Sequence, residues 1–154
     1  MKKIIVIFLG IISFNCSSQN TVDSSTLTIN GINVIGKKKP ILIQHFGQPV
    51  KIDKDFSEMS NEDMYLHHYN GVIFYVINDL VDDYEILNSN FKFTKHNIKI
   101  GENINRLKRI YPISFNKKGE EHLTIWLKDP NDKYVHIAYD KNSKLITKIY
   151  IRTY

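Results

Sequence analysis

Residues 123–139 read LTIWLKDPNDKYVHIAY, and this stretch decides the fold class. Apolar residues occupy every second position on each side of DPND, which predicts two antiparallel strands joined by a turn. The run Leu145–Ile151 also alternates and predicts a third strand. The second half of the chain is therefore predicted to contain a three-stranded antiparallel meander.

A short helix is predicted directly before this meander. Ile104, Leu107 and Tyr111 recur at helical spacing, so one side of the helix is apolar. Asn103 is a suitable N-cap residue, and Pro112 should end the helix. A helix of this length is stable only when its apolar side packs against another element, which here is the sheet.

The first half of the chain repeats the same order. An aromatic residue follows an Ile-Gly pair at the same distance in both halves, with Phe46 after Gly36 and Tyr111 after Gly101. Pro40 suits the first turn of a helix. Three strand-like runs follow, and they are Tyr65–Tyr69, Val72–Ile77 and Tyr84–Leu87.

These elements predict an α+β fold. The pair Asn70-Gly71 predicts a type I′ hairpin, in which both turn residues have positive φ. Residues 27–154 are expected to form one domain of two tandem units, about 30–90 and 95–154. Each unit would contain a short helix and a three-stranded antiparallel meander.

Composition supports a β-rich globular domain. The 154 residues are 42% hydrophobic, and Ala138 is the only alanine, whereas Tyr and Phe, which favour strands, are common. The net charge is +5, or +3 without Lys2 and Lys3. No basic run is longer than the one at residues 37–39, so no nucleic-acid partner is expected.

The N-terminus has the pattern of an export signal. Lys2 and Lys3 precede an apolar run over residues 4–14, which is too short to span a bilayer and has the length of a signal-peptide core. Residues 1–15 are therefore predicted to be a signal peptide. No transmembrane helix is expected after it.

Cys16 is the only cysteine, and it stands where the signal peptide should be cleaved. With the small polar residues that follow, it resembles a bacterial lipoprotein signal of the looser type found in Bacteroidota. The resemblance implies that Cys16 carries lipid and anchors the protein to a lipid bilayer of the cell envelope, at the outer membrane or on the periplasmic side. The alternative is a secreted protein with an unmodified cysteine. Residues 16–26 are polar and are predicted to be a flexible tether.

A second resemblance concerns the domain itself. Ile35-Gly36 followed by Phe46-Gly47-Gln48-Pro49, with a partial second copy at Ile100-Gly101 and Tyr111-Pro112, is similar to the SmpA/BamE-like small lipoproteins and to the β-lactamase inhibitor protein fold. The resemblance implies an envelope lipoprotein or a protein that binds other proteins. No functional residue carries over, because the matched positions are structural.

The sequence contains none of the common catalytic motifs. His122 and His136 are expected about 13 Å apart on adjacent strands, because Trp126 is expected opposite His136. The acidic residues near position 80 lack the spacing of a calcium loop and are expected in a solvated loop; they are Asp79, Asp82, Asp83 and Glu85. We therefore expect no metal, no cofactor and no enzymatic activity.

One face of the second meander is the candidate binding surface. Alternation separates an apolar face, which should include Leu145 and Ile149, from a face rich in aromatic and basic residues. Such residues are enriched in the hot spots of protein interfaces. The predicted partner-binding residues are Trp126, Lys128, Tyr134, His136, Lys148, Tyr150 and Arg152. The alternative is that these rings pack against the first unit or simply cover the sheet.

The function expected from these features is that of a membrane-anchored envelope lipoprotein that binds a protein partner or serves as a scaffold, without catalysis. Two alternatives stay open. The first is an inhibitor or immunity lipoprotein that neutralises a secreted enzyme or toxin. The second is an envelope hydrolase.

Overall fold

A computed structural model describes residues 21–128 and 133–153. The predicted signal peptide, Cys16 and the predicted turn at 129–132 lie outside the described residues. The last part of the predicted tether, residues 21–26, forms a two-residue strand and a short 3₁₀ helix.

The described residues form short helices and many strands. The helices are α1 (Lys39–Phe46), α2 (Leu107–Ile110) and α3 (Pro112–Asn116), with 3₁₀ turns at Ser24–Thr26 and Ile104–Arg106. The strands are β1 (Thr21–Val22), β2 (Thr28–Ile29), β3 (Ile32–Asn33), β4 (Lys51–Ser57), β5 (Glu62–Tyr69), β6 (Val72–Ile77), β7 (Leu80–Ile86), β8 (His122–Leu127), β9 (Lys133–Tyr139) and β10 (Ile146–Thr153). The protein is therefore mostly β-sheet.

Eight of these strands make one mixed sheet in the order β1-β8-β9-β10-β7-β6-β5-β4. β1 runs parallel to β8, and every other neighbouring pair is antiparallel. The two halves of the chain meet where β10 pairs with β7, through Ile149 opposite Ile86 and Tyr150 opposite Glu85. β2 and β3 form a separate two-stranded ribbon.

The predicted architecture of two tandem helix-plus-meander units is therefore wrong. Because β7 and β10 pair, both halves contribute to a single sheet, and β1 extends it at one edge. The first half contains four strands of this sheet, since β4 precedes the three predicted strands. The sequence does not predict β4 because most of the residues in KIDKDFS are charged. In the structure most of these residues are exposed.

One face of the sheet carries the hydrophobic core. Phe74 and Ile149, from opposite halves of the chain, are fully buried there, and they share a cluster with Leu42 of α1, Leu107 of α2 and residues of the β2–β3 ribbon. Phe93, in the segment that connects the halves, is also fully buried and pairs with the ribbon at Ile29. Helices α1 and α2, the ribbon and this segment thus cover the same face.

The start of the second helical segment follows the prediction. Asn103 is the N-cap residue, and its Oδ1 accepts a hydrogen bond from the Asn105 backbone N–H at 3.0 Å. The segment continues as α2, which ends at Ile110. Pro112 then starts α3, because proline is well tolerated in the first helical turn.

The hairpin at Asn70-Gly71 is confirmed, but its turn type differs from the prediction. φ is positive at Gly71 (98°) and not at Asn70. Positive φ at both turn residues occurs instead at Asn78 (50°) and Asp79 (62°), between β6 and β7. The positive φ at position 71 favours glycine, and a Cβ there would also force the Asn88 side chain to move, because it would lie 1.9 Å from Nδ2 of Asn88.

The last strand begins with an irregularity that changes one core residue. The register between β9 and β10 shifts between Ile146 and Lys148. As a result Ile146 is buried, and Leu145, which alternation assigns to the core, is 41% exposed. From Lys148 onward the predicted alternation holds, so Ile149 and Ile151 point into the core.

Candidate binding face

The face of the sheet opposite the core is called the open face below. Its side chains alternate with core residues, and most of them stay half-buried or exposed even in central strands, although Asp83 and Glu85 of β7 are buried. Facing residues form a row across five strands, in which Thr124 pairs with His136, His136 with Tyr150, Tyr150 with Glu85, and Glu85 with Ile73. Strand pairing, rather than a loop, therefore positions the candidate site.

A row of aromatic rings crosses the open face over β8, β9 and β10. Ring centroids are 5.5 Å apart for Trp126 and Tyr134, and 5.9 Å apart for Tyr134 and His136. His136 and Tyr150 stack at 5.0 Å with an angle of 24° between their planes. Trp126 is 44% exposed at the end of this row. The spacing of adjacent strands thus arranges the rings as a continuous platform.

Two cations border the Tyr150 end of the platform. The Lys148 Nζ lies 5.0 Å from the centroid of the Tyr150 ring, and the Arg152 guanidinium lies 5.2 Å from it. The same guanidinium is 4.8 Å from the Tyr75 ring of β6. These distances fit cation–π contacts.

Glu85 of β7 holds both cations. Its carboxylate accepts from Lys148 at 2.8 Å and also from Arg152, although only 5% of the residue is exposed. Burial opposes ionisation, but the hydrogen bonds from Lys148 and Tyr75 and the positive charge of Arg152 outweigh it. They lower the pKa of Glu85 from its usual value.

A second ion pair lies beside it at the start of β9. The Lys133 Nζ donates to Asp82 Oδ1 at 2.7 Å and to Asp83 Oδ1 at 3.3 Å. Asp83 is 8% exposed, and desolvation raises its pKa to about 6 against the opposing effect of Lys133. This carboxylate is therefore easier to protonate than an ordinary aspartate.

The open face gathers six of the seven predicted partner-binding residues. Lys128 is the exception, because it lies beyond the end of β8, where its backbone N–H donates to the Val22 carbonyl oxygen at 2.9 Å. The structure also changes the expected basic character of the face. Glu85 pairs with both Lys148 and Arg152, so one of their two positive charges is neutralised locally.

The predicted separation of His122 and His136 is wrong. Trp126 pairs with Tyr134, not with His136, so the register differs by two residues from the expected one. The two histidine rings consequently lie 4.7 Å apart. Among the described residues, no group of three or more His, Cys, Asp or Glu side chains could hold a metal ion.

The sequence does not predict the acidic residues of the open face. The residues expected in a solvated loop include Asp83 and Glu85, which are buried in β7. Their partners Lys133 and Arg152 follow more than 45 residues later, so only the β7–β10 pairing brings them together. The nearest sequence signal is the alternation of charged and apolar residues over DDYEI at 82–86, which is typical of a strand.

Comparison with known proteins gives a fold but no family. No family model matches the sequence, and no curated protein sequence matches it significantly. The structure is similar to that of an extracellular protein containing an SCP domain from Bacillus anthracis, with a TM-score of 0.59 and 15% identity over 79% of this chain. It is also similar to a cysteine-rich secretory protein from Staphylococcus aureus, with a TM-score of 0.46 and 14% identity over 78% of this chain.

The similarity to the Bacillus protein overturns the resemblance to the SmpA/BamE-like lipoproteins and the β-lactamase inhibitor protein fold. The Bacillus protein, which has a similar fold, is of a different kind, and the eight-stranded sheet of this chain replaces the two small units that the resemblance implied. The chain spans 44% of the length of each of the two matched proteins. At 15% identity, the similarity to the Bacillus protein concerns the fold alone.

Proposed function

We propose that the protein is exported, anchored in the cell envelope through an acylated Cys16, and binds a protein partner through the open face of its sheet. Catalysis is not part of this proposal. The observation that carries it is the platform of Trp126, Tyr134, His136 and Tyr150, which crosses three strands of the sheet and keeps part of its surface exposed.

The location rests on the N-terminal sequence and on one structural relative. Cys16 follows a segment with the composition of a signal peptide. The Bacillus protein with the similar fold is described as extracellular, which agrees with an exported domain. In residues 21–128 and 133–153, no helix is both long and apolar enough to cross a membrane.

The chemistry of the face favours a protein partner. Aromatic side chains provide a large contact area at low entropic cost, and rings with an adjacent arginine are typical of interface hot spots. Because Glu85 neutralises one of the two positive charges of Lys148 and Arg152, the three side chains together carry only one net positive charge. We therefore expect stacking and hydrogen bonds to dominate binding, and the affinity should depend only weakly on salt.

The decisive experiment is crosslinking of the acylated protein in its native membrane, followed by mass spectrometry. Tyr150→Ala should lose the crosslinked partner, because it removes the ring between His136 and the two cations. The matched control is Tyr65→Ala, since Tyr65 is 40% exposed and lies at the far end of the sheet. This control should keep the partner.

Unchanged recovery of the same partner with Tyr150→Ala, in a variant whose circular dichroism matches the wild type, would refute binding through this face. The identity of the partner adds detail. A secreted enzyme or toxin would define an inhibitor or immunity protein, whereas an envelope-assembly protein would define a scaffold.

A further inference from the structure

The position of β1 determines which part of the domain lies nearest to the anchor. β1 begins at Thr21, and Thr21 pairs directly with Trp126 of β8. Only five residue steps connect Cys16 to Thr21, which is at most about 17 Å of fully extended chain. A lipid on Cys16 therefore holds the β1–β8 edge close to the bilayer.

The side chains at this edge suit a lipid headgroup region. A cleft of about 380 Å³ lies between Trp126 and α3, and it is lined on the helix side by Ile113, Ser114 and Lys117. Lys128, which is exposed, follows two residues after the indole. Tryptophan with flanking lysines is the combination found at membrane–water interfaces, where the ring lies among the headgroups and the amines reach the phosphates.

The local charge at this edge is mixed. Hydrogen bonds from Ser25 lower the pKa of Asp23, and the nearby positive charge of Lys128 contributes less. Lys117 and Lys128 flank the indole, but Asp129 directly follows Lys128 in the sequence and Asp23 lies near it. Contact with lipid therefore depends on the indole and its flanking amines rather than on a net positive charge.

We infer that the Trp126 end of the β1–β8 edge is a membrane-contacting surface that inserts its indole among lipid headgroups. The inference rests on the acylation of Cys16 in the proposed function. It divides the predicted partner-binding residues, because Trp126 and Lys128 then contact lipid, while His136, Tyr150 and Arg152 remain for the protein partner. The opposite edge, β4, lies seven strand spacings away, about 34 Å from β1, and points away from the bilayer.

Trp126 is the only tryptophan of the chain, so its fluorescence reports on this surface alone. The test uses the full-length acylated protein in vesicles of phosphatidylethanolamine and phosphatidylglycerol, with lipids brominated near the headgroup. Trp126 emission should shift to shorter wavelength and be quenched by the brominated lipid. The matched control is the double variant Phe56→Trp, Trp126→Phe, because Phe56 is 50% exposed and lies in β4. This control should show neither change.

Three results would overturn the inference. If the protein is acylated but the Trp126 emission is not quenched, membrane contact by this edge is refuted. The proposed lipid anchor is not refuted by that result. Equal quenching of both probes would show that the domain lies flat on the bilayer. A mature protein that mass spectrometry shows to be unmodified at Cys16 would refute the anchor of the proposed function, and the tether argument would fail with it.

Discussion

The two faces of the sheet are built from the same strands but are stabilised differently. Phe74 and Tyr75 are neighbours in β6, yet Phe74 is fully buried in the core, whereas Tyr75 lies under the Arg152 guanidinium on the open face. The core face depends on removal of apolar area from water. The open face depends on rings and ion pairs that keep part of their surface exposed.

This difference has a functional consequence. A residue of the core face contributes to folding and has no surface left for a partner, whereas a residue of the open face contributes less to folding and remains available for binding. The predictions below compare paired substitutions on the two faces. They are ordered by the expected change in the free energy of unfolding.

The largest effect is expected for Phe74→Ala. Phe74 is fully buried and contacts the rings of Phe46, Tyr69 and Tyr84. Its truncation leaves a cavity and should cost about 4 kcal/mol. The matched variant Tyr75→Ala should cost about 2 kcal/mol, because it loses the contact of the ring with the Arg152 guanidinium and the hydrogen bond to Glu85. Urea unfolding measures both values, and equal losses would show that the two faces are not stabilised differently.

The next effect is a pH dependence caused by Asp83. Its pKa in the folded protein is about 6, above the ordinary value of 3.8, so the folded state binds the proton more tightly. This stabilisation is complete below about pH 3.8 and is lost as the pH rises through 6. The wild type should lose up to about 3 kcal/mol relative to Asp83→Asn between pH 4 and pH 7. A flat difference curve between the two proteins would contradict the perturbed pKa.

The sequence predicts much of the core face because its signals are local. Alternation identifies β8, β9 and most of β10, the Asn-Gly pair identifies the β5–β6 hairpin, and Asn103 identifies a helix start. Each of these signals lies within about ten residues of the element that it specifies. The same alternation places Trp126, Tyr134 and Tyr150 on one face.

The rest depends on pairings between distant segments. The β7–β10 pairing joins Ile86 to Ile149, which converts two expected units into one sheet. The register between β8 and β9 decides whether His122 contacts His136. A turn joins these two strands, and its length in residues does not fix which residues of the strands pair. Glu85 and Asp83 are charged, and in a sequence a charged residue indicates a solvent-exposed position. Only the cations that pair with them explain why they are buried.

A smaller effect is expected when the central carboxylate of the open face loses its charge. Glu85→Gln keeps the shape of the side chain but leaves Lys148 and Arg152 without their anion. Loss of a buried ion pair can cost 3–5 kcal/mol. We expect about 2 kcal/mol here, because the two cations are about a third exposed and solvent replaces part of the interaction. Chemical unfolding at neutral pH measures the change.

The control for that prediction is Asp53→Asn on the edge strand β4. Asp53 forms an ion pair with Lys51 at 2.8 Å, but both side chains are well exposed. Surface ion pairs of this kind contribute little to stability. The control variant should unfold at the same urea concentration as the wild type. A loss equal to that of Glu85→Gln would show that burial does not determine the strength of these pairs.

The smallest change in stability is expected at Trp126, which is adjacent to Ile125 in β8. Ile125 points into the core and is 2% exposed, so Ile125→Ala should cost about 3 kcal/mol. Trp126 points the other way, is 44% exposed, and its ring contacts that of Tyr134 at 5.5 Å between centroids. Trp126→Ala should therefore cost only about 1 kcal/mol, which is typical of an exposed aromatic pair. If Trp126→Ala instead destabilised the domain as much as Ile125→Ala, the indole would be part of the folding core. The indole would then not be available on the open face for contact with lipid or with a protein partner.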